Sequence, residues 1–124
     1  MPESYVTNQT EKGNISISED VINVMVTAAV AEIEGVAGLT NPTSSDIAEL
    51  LGLKNAPKGV RISSENGQIV VDLVILVRYG YGVTVTAKKV QEQVAASVES
   101  MTGMDVRVNV HVTGISFDKM DMKG

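Results

Sequence analysis

The fold is decided by residues 60–78, VRISSENGQIVVDLVILVR, in which two apolar runs flank an Asn-Gly pair. The first run has apolar residues at every second position, which is the period of a half-buried β-strand. Asn66 and Gly67 suit a type I′ turn, because both central residues of that turn need a positive φ. The stretch therefore predicts a β-hairpin whose second strand runs from Gln68 to Tyr79.

Two helices and two further strands are predicted around the hairpin. Polar and apolar residues alternate over Asn14–Ser18, which indicates a short first strand, and Ser18 then caps a helix that Gly35 ends. After the hairpin, apolar residues recur every three or four positions from Val83 to Met101, which predicts an amphipathic helix. Alternation returns over Val106–Thr113 and predicts the final strand.

The resulting element order is β-α-β-β-α-β, with a short extra helix at Ile47–Leu51 in the long connection. This order predicts an α+β fold: a two-layer sandwich in which a four-stranded, mostly antiparallel sheet carries both main helices on one face. A ferredoxin-like strand order is the preferred topology, and a KH-like arrangement stays open because it uses similar elements. We expect one domain over residues 14–118, with flexible segments at 1–13 and 119–124.

Composition and charge favour a cytoplasmic protein. The chain has 124 residues, no cysteine and a formal net charge of -5. Without cysteine there is no disulfide or thiolate site, and the negative charge disfavours sequence-independent binding to nucleic acid. No apolar run reaches the roughly 18 residues that span a bilayer, and Met1–Gly13 lacks the features of a signal peptide. We therefore expect membrane contact only through a partner.

No group of residues indicates catalysis or metal binding. His111 is the single histidine of the chain, and the alternation of its strand places it on the polar side without an assignable acid–base partner. The spacing of the carboxylates around it matches no metal-ligand motif. We therefore expect a protein that is not an enzyme and that uses neither a metal nor a cofactor.

Two glycine-containing segments have a functional and a structural interpretation. Gly35 and Gly38 match the Gly-x-x-Gly that clamps a nucleic-acid backbone in KH domains, but the segment has no flanking Lys or Arg, and a helix C-cap is favoured. Gly80-Tyr81-Gly82 lies before a helix, yet lacks the remaining residues of a phosphate-binding loop. A simple turn is the favoured interpretation there.

The second hairpin strand is apolar on both sides, which is unusual for a strand with one open face. Its residues at 71, 73, 75 and 77 can face the helices, while the opposite side carries further apolar residues. An apolar centre with arginines around it is typical of a protein interface. The alternatives are that the helix in the long connection folds over this face, or that Asp72 and the arginines pair with one another. The candidate interface has Val70, Val74 and Leu76 as its centre and Arg61, Arg78, Arg107 and His111 as its rim.

Six segments together resemble the alkaline shock protein family, the envelope stress response proteins of Gram-positive bacteria. They are ISISEDVI at 15–22, EIEGVAG at 32–38, VDL at 71–73, VQEQV at 90–94, MTG at 101–103 and VNVHVTGI at 108–115. The resemblance implies a non-enzymatic protein and supplies no catalytic residues. It also implies a cytoplasmic protein that self-associates and is held near the membrane by a separate integral-membrane partner.

The function predicted from the sequence is therefore that of an adaptor in the envelope stress response. We expect it to form homo-oligomers or to dock on a protein partner through the candidate interface. The alternative is a KH-like RNA-binding module that uses Gly35 and Gly38 as its clamp. A small-ligand carrier is a weaker third option, since no convergent polar group indicates a ligand.

Overall fold

The computed structural model describes residues 5–40 and 59–117. The described chain forms a hairpin, a larger sheet and two helices. In chain order the elements are β1 (Tyr5–Thr10), β2 (Gly13–Ser18), α1 (Glu19–Ala31), β3 (Val36–Leu39), β4 (Val60–Glu65), β5 (Gln68–Arg78), α2 (Val83–Thr102) and β6 (Val106–Ser116).

Strand β5 is the centre of the four-stranded sheet. On one side it pairs in parallel with β6, and on the other it pairs antiparallel with both β3 and β4. The two antiparallel partners lie end to end along the same edge, since Leu39 is opposite Ile75 and Val60 is opposite Leu73. The chain leaves this edge at Thr40, whose N–H donates to the Val74 carbonyl at 3.0 Å, and rejoins it at β4.

The core lies between the helices and one face of this sheet. Strand β5 contributes five side chains that are fully buried, at positions 69, 71, 73, 75 and 77. Helix α1 covers them with residues such as Ile22 and Val26, and α2 does so with Val90, Val94 and Val98. Because the chain has one Phe, three Tyr and no Trp, this core is built from aliphatic side chains.

Local signals in the sequence are confirmed at several element ends. Asn66 and Gly67 have φ values of 51° and 78°, as the two-residue turn requires. The Ser18 hydroxyl accepts a hydrogen bond from the Asp20 N–H at 3.0 Å and so caps α1. Gly103 ends α2 in the left-handed conformation, with its N–H bonded to the Glu99 carbonyl.

The α+β class is confirmed, as is the mostly antiparallel four-stranded sheet with both helices on one face, but the ferredoxin-like topology is wrong. That topology separates the strands before and after the second helix by another strand, whereas β5 and β6 are direct neighbours. The predicted first strand, β2, pairs with β1 in a separate two-stranded sheet. The four-stranded sheet is instead completed by β3, which the sequence did not predict.

The N-terminal prediction also needs correction, because part of the segment expected to be flexible forms β1. Val6 is almost fully buried and belongs to the core cluster, which ties this strand to the rest of the fold. A hydrogen bond from the Thr10 hydroxyl to the Gly13 carbonyl, at 3.0 Å, closes the turn to β2. The predicted extra helix at Ile47–Leu51 and the tail at 119–124 lie outside the described residues.

Candidate functional site

The residues of the candidate interface share one side of the four-stranded sheet, which we call the outer face because it points away from the helices. Strand pairing sets Arg61 opposite Asp72, Arg107 opposite Val70 and His111 opposite Val74. Paired residues of neighbouring strands project to the same side of a sheet. The outer face consists of Gln68, Val70, Asp72, Val74, Leu76 and Arg78 from β5, Arg61, Ser63 and Glu65 from β4, and Arg107, Asn109 and His111 from β6.

The centre of the outer face is not the open apolar patch that the sequence predicted. Val74 is only 1% exposed and Val70 only 8%, although neither belongs to the core cluster beneath the helices. Both residues lie on the central strand, so a neighbouring strand flanks them on each side. The accessible surface comes instead from the surrounding residues: Leu76, Arg78 and His111 are half-buried, and Arg61 and Arg107 are exposed.

A carboxylate lies among the valines of this face. Asp72 is 9% exposed, and its Oδ1 accepts a hydrogen bond from Asn109 Nδ2 at 3.0 Å. A hydrogen bond to an ionised carboxylate is stronger than one between neutral groups. Asn109 therefore satisfies a nearly buried charge and connects β5 to β6 on the side away from the helices.

Arg61, on the rim of the outer face, interacts electrostatically with Glu19 at the start of α1. Partial burial raises the pKa of the Glu19 carboxyl, and the positive charge of Arg61 opposes this rise. Glu19 lies in the first turn of α1, where the helix dipole favours negative charge. Among the described residues, no cluster of three or more His, Asp or Glu side chains is arranged to hold a metal ion.

The Gly-x-x-Gly segment does not form a loop between helices. Val36–Leu39 is strand β3, and the Gly35 carbonyl accepts the Arg78 N–H at 2.7 Å. A backbone engaged in a β-ladder offers fewer free N–H groups to a phosphate than a KH clamp requires. The predicted helix C-cap is also displaced, because α1 is capped by Glu32 and Gly35 follows in the turn with a φ of 96°.

The two glycine-containing segments meet at one end of the sheet. A Cβ added to Gly35 would lie 2.9 Å from Tyr81 Cδ2 and 3.0 Å from Thr86 Oγ1, so the Tyr81 ring packs directly on the Gly35 backbone. Gly35 is therefore required by both its positive φ and this close approach. These segments are far apart in the sequence, and only the fold brings them together.

An exposed aromatic pair lies at the same end of the sheet and was missed in the sequence. The rings of Tyr79 and Phe117 stack with centroids 4.7 Å apart, and the two residues are 69% and 62% exposed. The Tyr79 N–H donates to the Ser116 carbonyl at 2.9 Å, which holds the two strand ends side by side. The scarcity of aromatic residues in the chain was the available signal, since aromatic side chains are enriched in protein interfaces.

A cleft of about 550 Å³ opens between the end of α1 and β3. Its walls are mostly apolar, with hydroxyl groups from Thr27 and Thr40 and one arginine, Arg78. No set of convergent polar groups in the described lining selects a ligand, which gives the carrier interpretation no further support. Neither α1 nor α2, the two helices described, has the combination of length and apolarity that a membrane-crossing helix needs.

Comparison with known proteins places this chain among proteins related to the cell envelope. A family model described as the alkaline shock protein 23 family, of cell envelope-related function, matches residues 7–117. The uncharacterized protein YqhY of Bacillus subtilis (strain 168) is 30% identical over 110 residues, covering 88% of this chain and 82% of YqhY. The uncharacterized protein YloU of the same strain is 32% identical, covering 86% of this chain and 92% of YloU.

Further similarities are found in a streptococcus and among solved structures. The uncharacterized protein Spy1614 of Streptococcus pyogenes is 34% identical over 109 residues, covering 86% of this chain and 90% of Spy1614. A zinc form of a MamM CTD variant superimposes with a TM-score of 0.46 at 16% sequence identity, covering 79% of this chain and 86% of that one. On the family model and these sequence relatives, the chain belongs to the alkaline shock protein 23 family, whose function is related to the cell envelope.

Proposed function

We propose that this protein is a non-enzymatic, cytoplasmic adaptor of the envelope stress response, which binds copies of itself and a membrane-anchored protein through the outer face. The observation that carries the proposal is the composition of that face. Its accessible rim, made of Leu76, Arg78, His111, Arg61 and Arg107, surrounds a closely packed centre. An accessible rim of this kind, with arginines beside an aliphatic side chain, favours a protein partner.

The charge of the rim favours an acidic partner surface. Arg61 and Arg107 are exposed on the outer face, whose carboxylates are Asp72, engaged by Asn109, and Glu65 at the end of β4. The face therefore has more arginines than carboxylates, whereas the chain as a whole carries a net charge of -5. Acidic surface elsewhere on a second copy, or on an anchored partner, therefore complements it.

The family and the helices support a location beside the membrane rather than within it. The family has a cell envelope-related function, while the described helices are unsuited to crossing a bilayer. In the proposal, an integral-membrane protein supplies the anchor and this chain supplies the docking surface. No described cluster of side chains is arranged for metal chemistry, and the proposal requires no reaction.

The test is affinity capture of the full chain from membrane and soluble lysate fractions. Val74→Asp is unsuitable as the disrupting variant, because a carboxylate at a position that is 1% exposed would destabilise the fold. The double variant Arg61→Glu/Arg107→Glu changes only exposed rim residues, and Lys88→Glu/Lys89→Glu on the exposed side of α2 is the matched control.

The proposal predicts that wild type and control retain the same membrane protein and that the rim variant loses it. Retention of one set of proteins by all three forms would contradict the assignment of the outer face. Nuclease-sensitive RNA retained in place of protein would transfer the function to the KH-like alternative, whose binding should also weaken steeply with salt.

A further inference from the structure

Strand β6 pairs with β5 along one edge and turns its other edge away from the rest of the described sheet. The Ile69 N–H donates to the Asp105 carbonyl at 2.9 Å, which fixes the direction in which the backbone groups of β6 point. Because these groups alternate along a strand, the N–H and C=O of Val108, Val110 and Val112 point away from β5. No strand within residues 5–40 or 59–117 pairs with this edge.

The structure limits the open part of the edge to two residues. The Val108 carbonyl accepts a hydrogen bond from Gln91 Nε2 of α2 at 3.0 Å, so it is already engaged. Beyond Val112 the pairing with β5 skips Thr113, and the strand bulges. Val110 and Val112 therefore present the N–H and C=O groups that remain open at this edge among the described residues.

The side chains of these two residues are also incompletely covered. Val110 and Val112 are half-buried and pack against the core at its margin, whereas Val108, beside Gln91, is buried. An edge strand normally carries lysine, proline or an inward-pointing charge that prevents pairing with another chain. The segment Val108–Thr113, VNVHVT, contains none of these.

We propose that two copies of this chain pair antiparallel through their β6 edges, about a two-fold axis at His111. In this register Val110 exchanges hydrogen bonds with Val112 of the second copy and Val112 does so with Val110, giving four hydrogen bonds. A register centred on Val110 would instead require the Val108 carbonyl, which Gln91 holds. The register at His111 is therefore the one that uses the open groups and leaves the Gln91 contact intact.

A second copy suits this edge because the edge is complementary to itself. Each copy supplies the same two donors and two acceptors, and a closed two-fold interface uses one patch twice. The valines of the two strands would continue one apolar layer under both pairs of helices. On the other side, Asn109 faces Thr113 of the second copy, so no charged residue meets a like charge at these positions.

This inference rests on the proposed function and extends it. The partner in self-association is a second copy of this chain, and the surface that binds it is the edge of β6, which is separate from the outer-face rim. Pairing at β6 joins the two outer faces edge to edge. His111 then lies at the centre of a doubled face, with Arg107 and Arg61 on each side of it. A two-copy face of this kind presents twice the basic rim to a membrane-anchored partner.

The test uses cysteine cross-linking. The chain has no cysteine of its own, so a disulfide can form only at the introduced position. Residues on the axis of an antiparallel pair have Cα atoms about 4.5–5.5 Å apart, within the range that a disulfide spans. His111→Cys should therefore form a covalent dimer in full yield under mild oxidation. Thr113→Cys is the matched control. In this register position 113 lies opposite position 109 of the second copy, so the two 113 positions are four residues apart along the strands, a separation of about 14 Å.

The register makes one further prediction for mixed samples. Asn109→Cys and Thr113→Cys should each stay monomeric on a non-reducing gel, whereas an equimolar mixture should cross-link. No covalent dimer with His111→Cys, or equal cross-linking at positions 111 and 113, would overturn the proposal. Equal cross-linking would mean random collision rather than a defined edge.

A proline variant tests the hydrogen bonds themselves. Val112→Pro removes an N–H that points to the second copy while leaving the N–H groups that face β5, so an edge strand tolerates it. We expect the dimer dissociation constant measured by sedimentation to rise at least tenfold, with an unchanged circular dichroism spectrum. An unchanged dissociation constant in the folded variant would also overturn the proposal.

Failure of this inference is distinguishable from failure of the proposed function. If wild type captures its membrane partner but His111→Cys does not cross-link, the edge pairing is wrong and the adaptor proposal stands. If His111→Cys cross-links in the predicted pattern while the rim variant retains every captured protein, the edge pairing stands and the docking role of the outer face is wrong.

Discussion

Asn109→Ala should destabilise the protein by about 2 kcal/mol, because a buried carboxylate that loses its partner costs about 1–3 kcal/mol. The variant removes the 3.0 Å hydrogen bond to Asp72, which is 9% exposed and has little access to water as a replacement. For a chain of 124 residues, this loss corresponds to a fall in Tm of about 8 °C.

Urea unfolding at neutral pH, followed by circular dichroism, measures this loss directly. Thr113→Ala, an exposed position on the same strand, is the matched control and should change the free energy of unfolding by less than about 0.5 kcal/mol. The double variant Asp72→Val/Asn109→Val should return close to wild-type stability, because it removes the charge together with its partner. If Asn109→Ala unfolded at the same urea concentration as wild type, this would refute the view that the hydrogen bond satisfies a buried charge.

Three further predictions concern local features. Gly35→Ala should destabilise the fold by about 2 kcal/mol more than Gly67→Ala in thermal unfolding, since both have positive φ but only the former meets the Tyr81 ring; equal losses would contradict the packing argument. Ser18→Ala should cost about 1 kcal/mol in urea unfolding through loss of the α1 cap, and no loss would mean that water replaces it. Burial raises the pKa of the Glu19 carboxyl in the folded state. The folded state therefore keeps this proton to a higher pH than the unfolded state does, and the stability that Glu19 contributes falls as the pH rises above the pKa of the unfolded state. The free energy of unfolding of Glu19→Gln should therefore exceed that of wild type by up to about 0.5 kcal/mol at pH 7 and equal it at pH 3. A gain in stability that is confined to low pH would contradict the direction of the pKa shift.

Local patterns in the sequence were sufficient for the elements that carry strong periodicity or special turn residues. The hairpin follows from Asn66-Gly67, and α2 follows from apolar residues at helical spacing that end at Gly103. Strand β1 was missed because Val6 is its single strongly apolar residue, which leaves no clear alternation. Strand β3 was missed because its Gly and Ala residues have low β-propensity, and tertiary pairing with β5 overrides that preference.

Long-range pairing accounts for what the sequence could not predict about the site. Alternation correctly assigned residues of β5 to its two faces, because side-chain direction is a local property. The 1% exposure of Val74 depends on tertiary packing that alternation does not show, and the stacking of Tyr79 on Phe117 depends on parallel pairing between distant segments. These long-range features are not specified by a single sequence.

Sedimentation velocity of the full chain, across a hundredfold range of concentration, shows whether the protein self-associates and whether the outer face takes part. Self-association through the outer face predicts a sedimentation coefficient that rises with concentration in wild type and in Lys88→Glu/Lys89→Glu. It predicts a weaker rise in Arg61→Glu/Arg107→Glu, whose circular dichroism should be unchanged. A concentration-independent monomer in wild type, or identical curves for the three folded proteins, would contradict it.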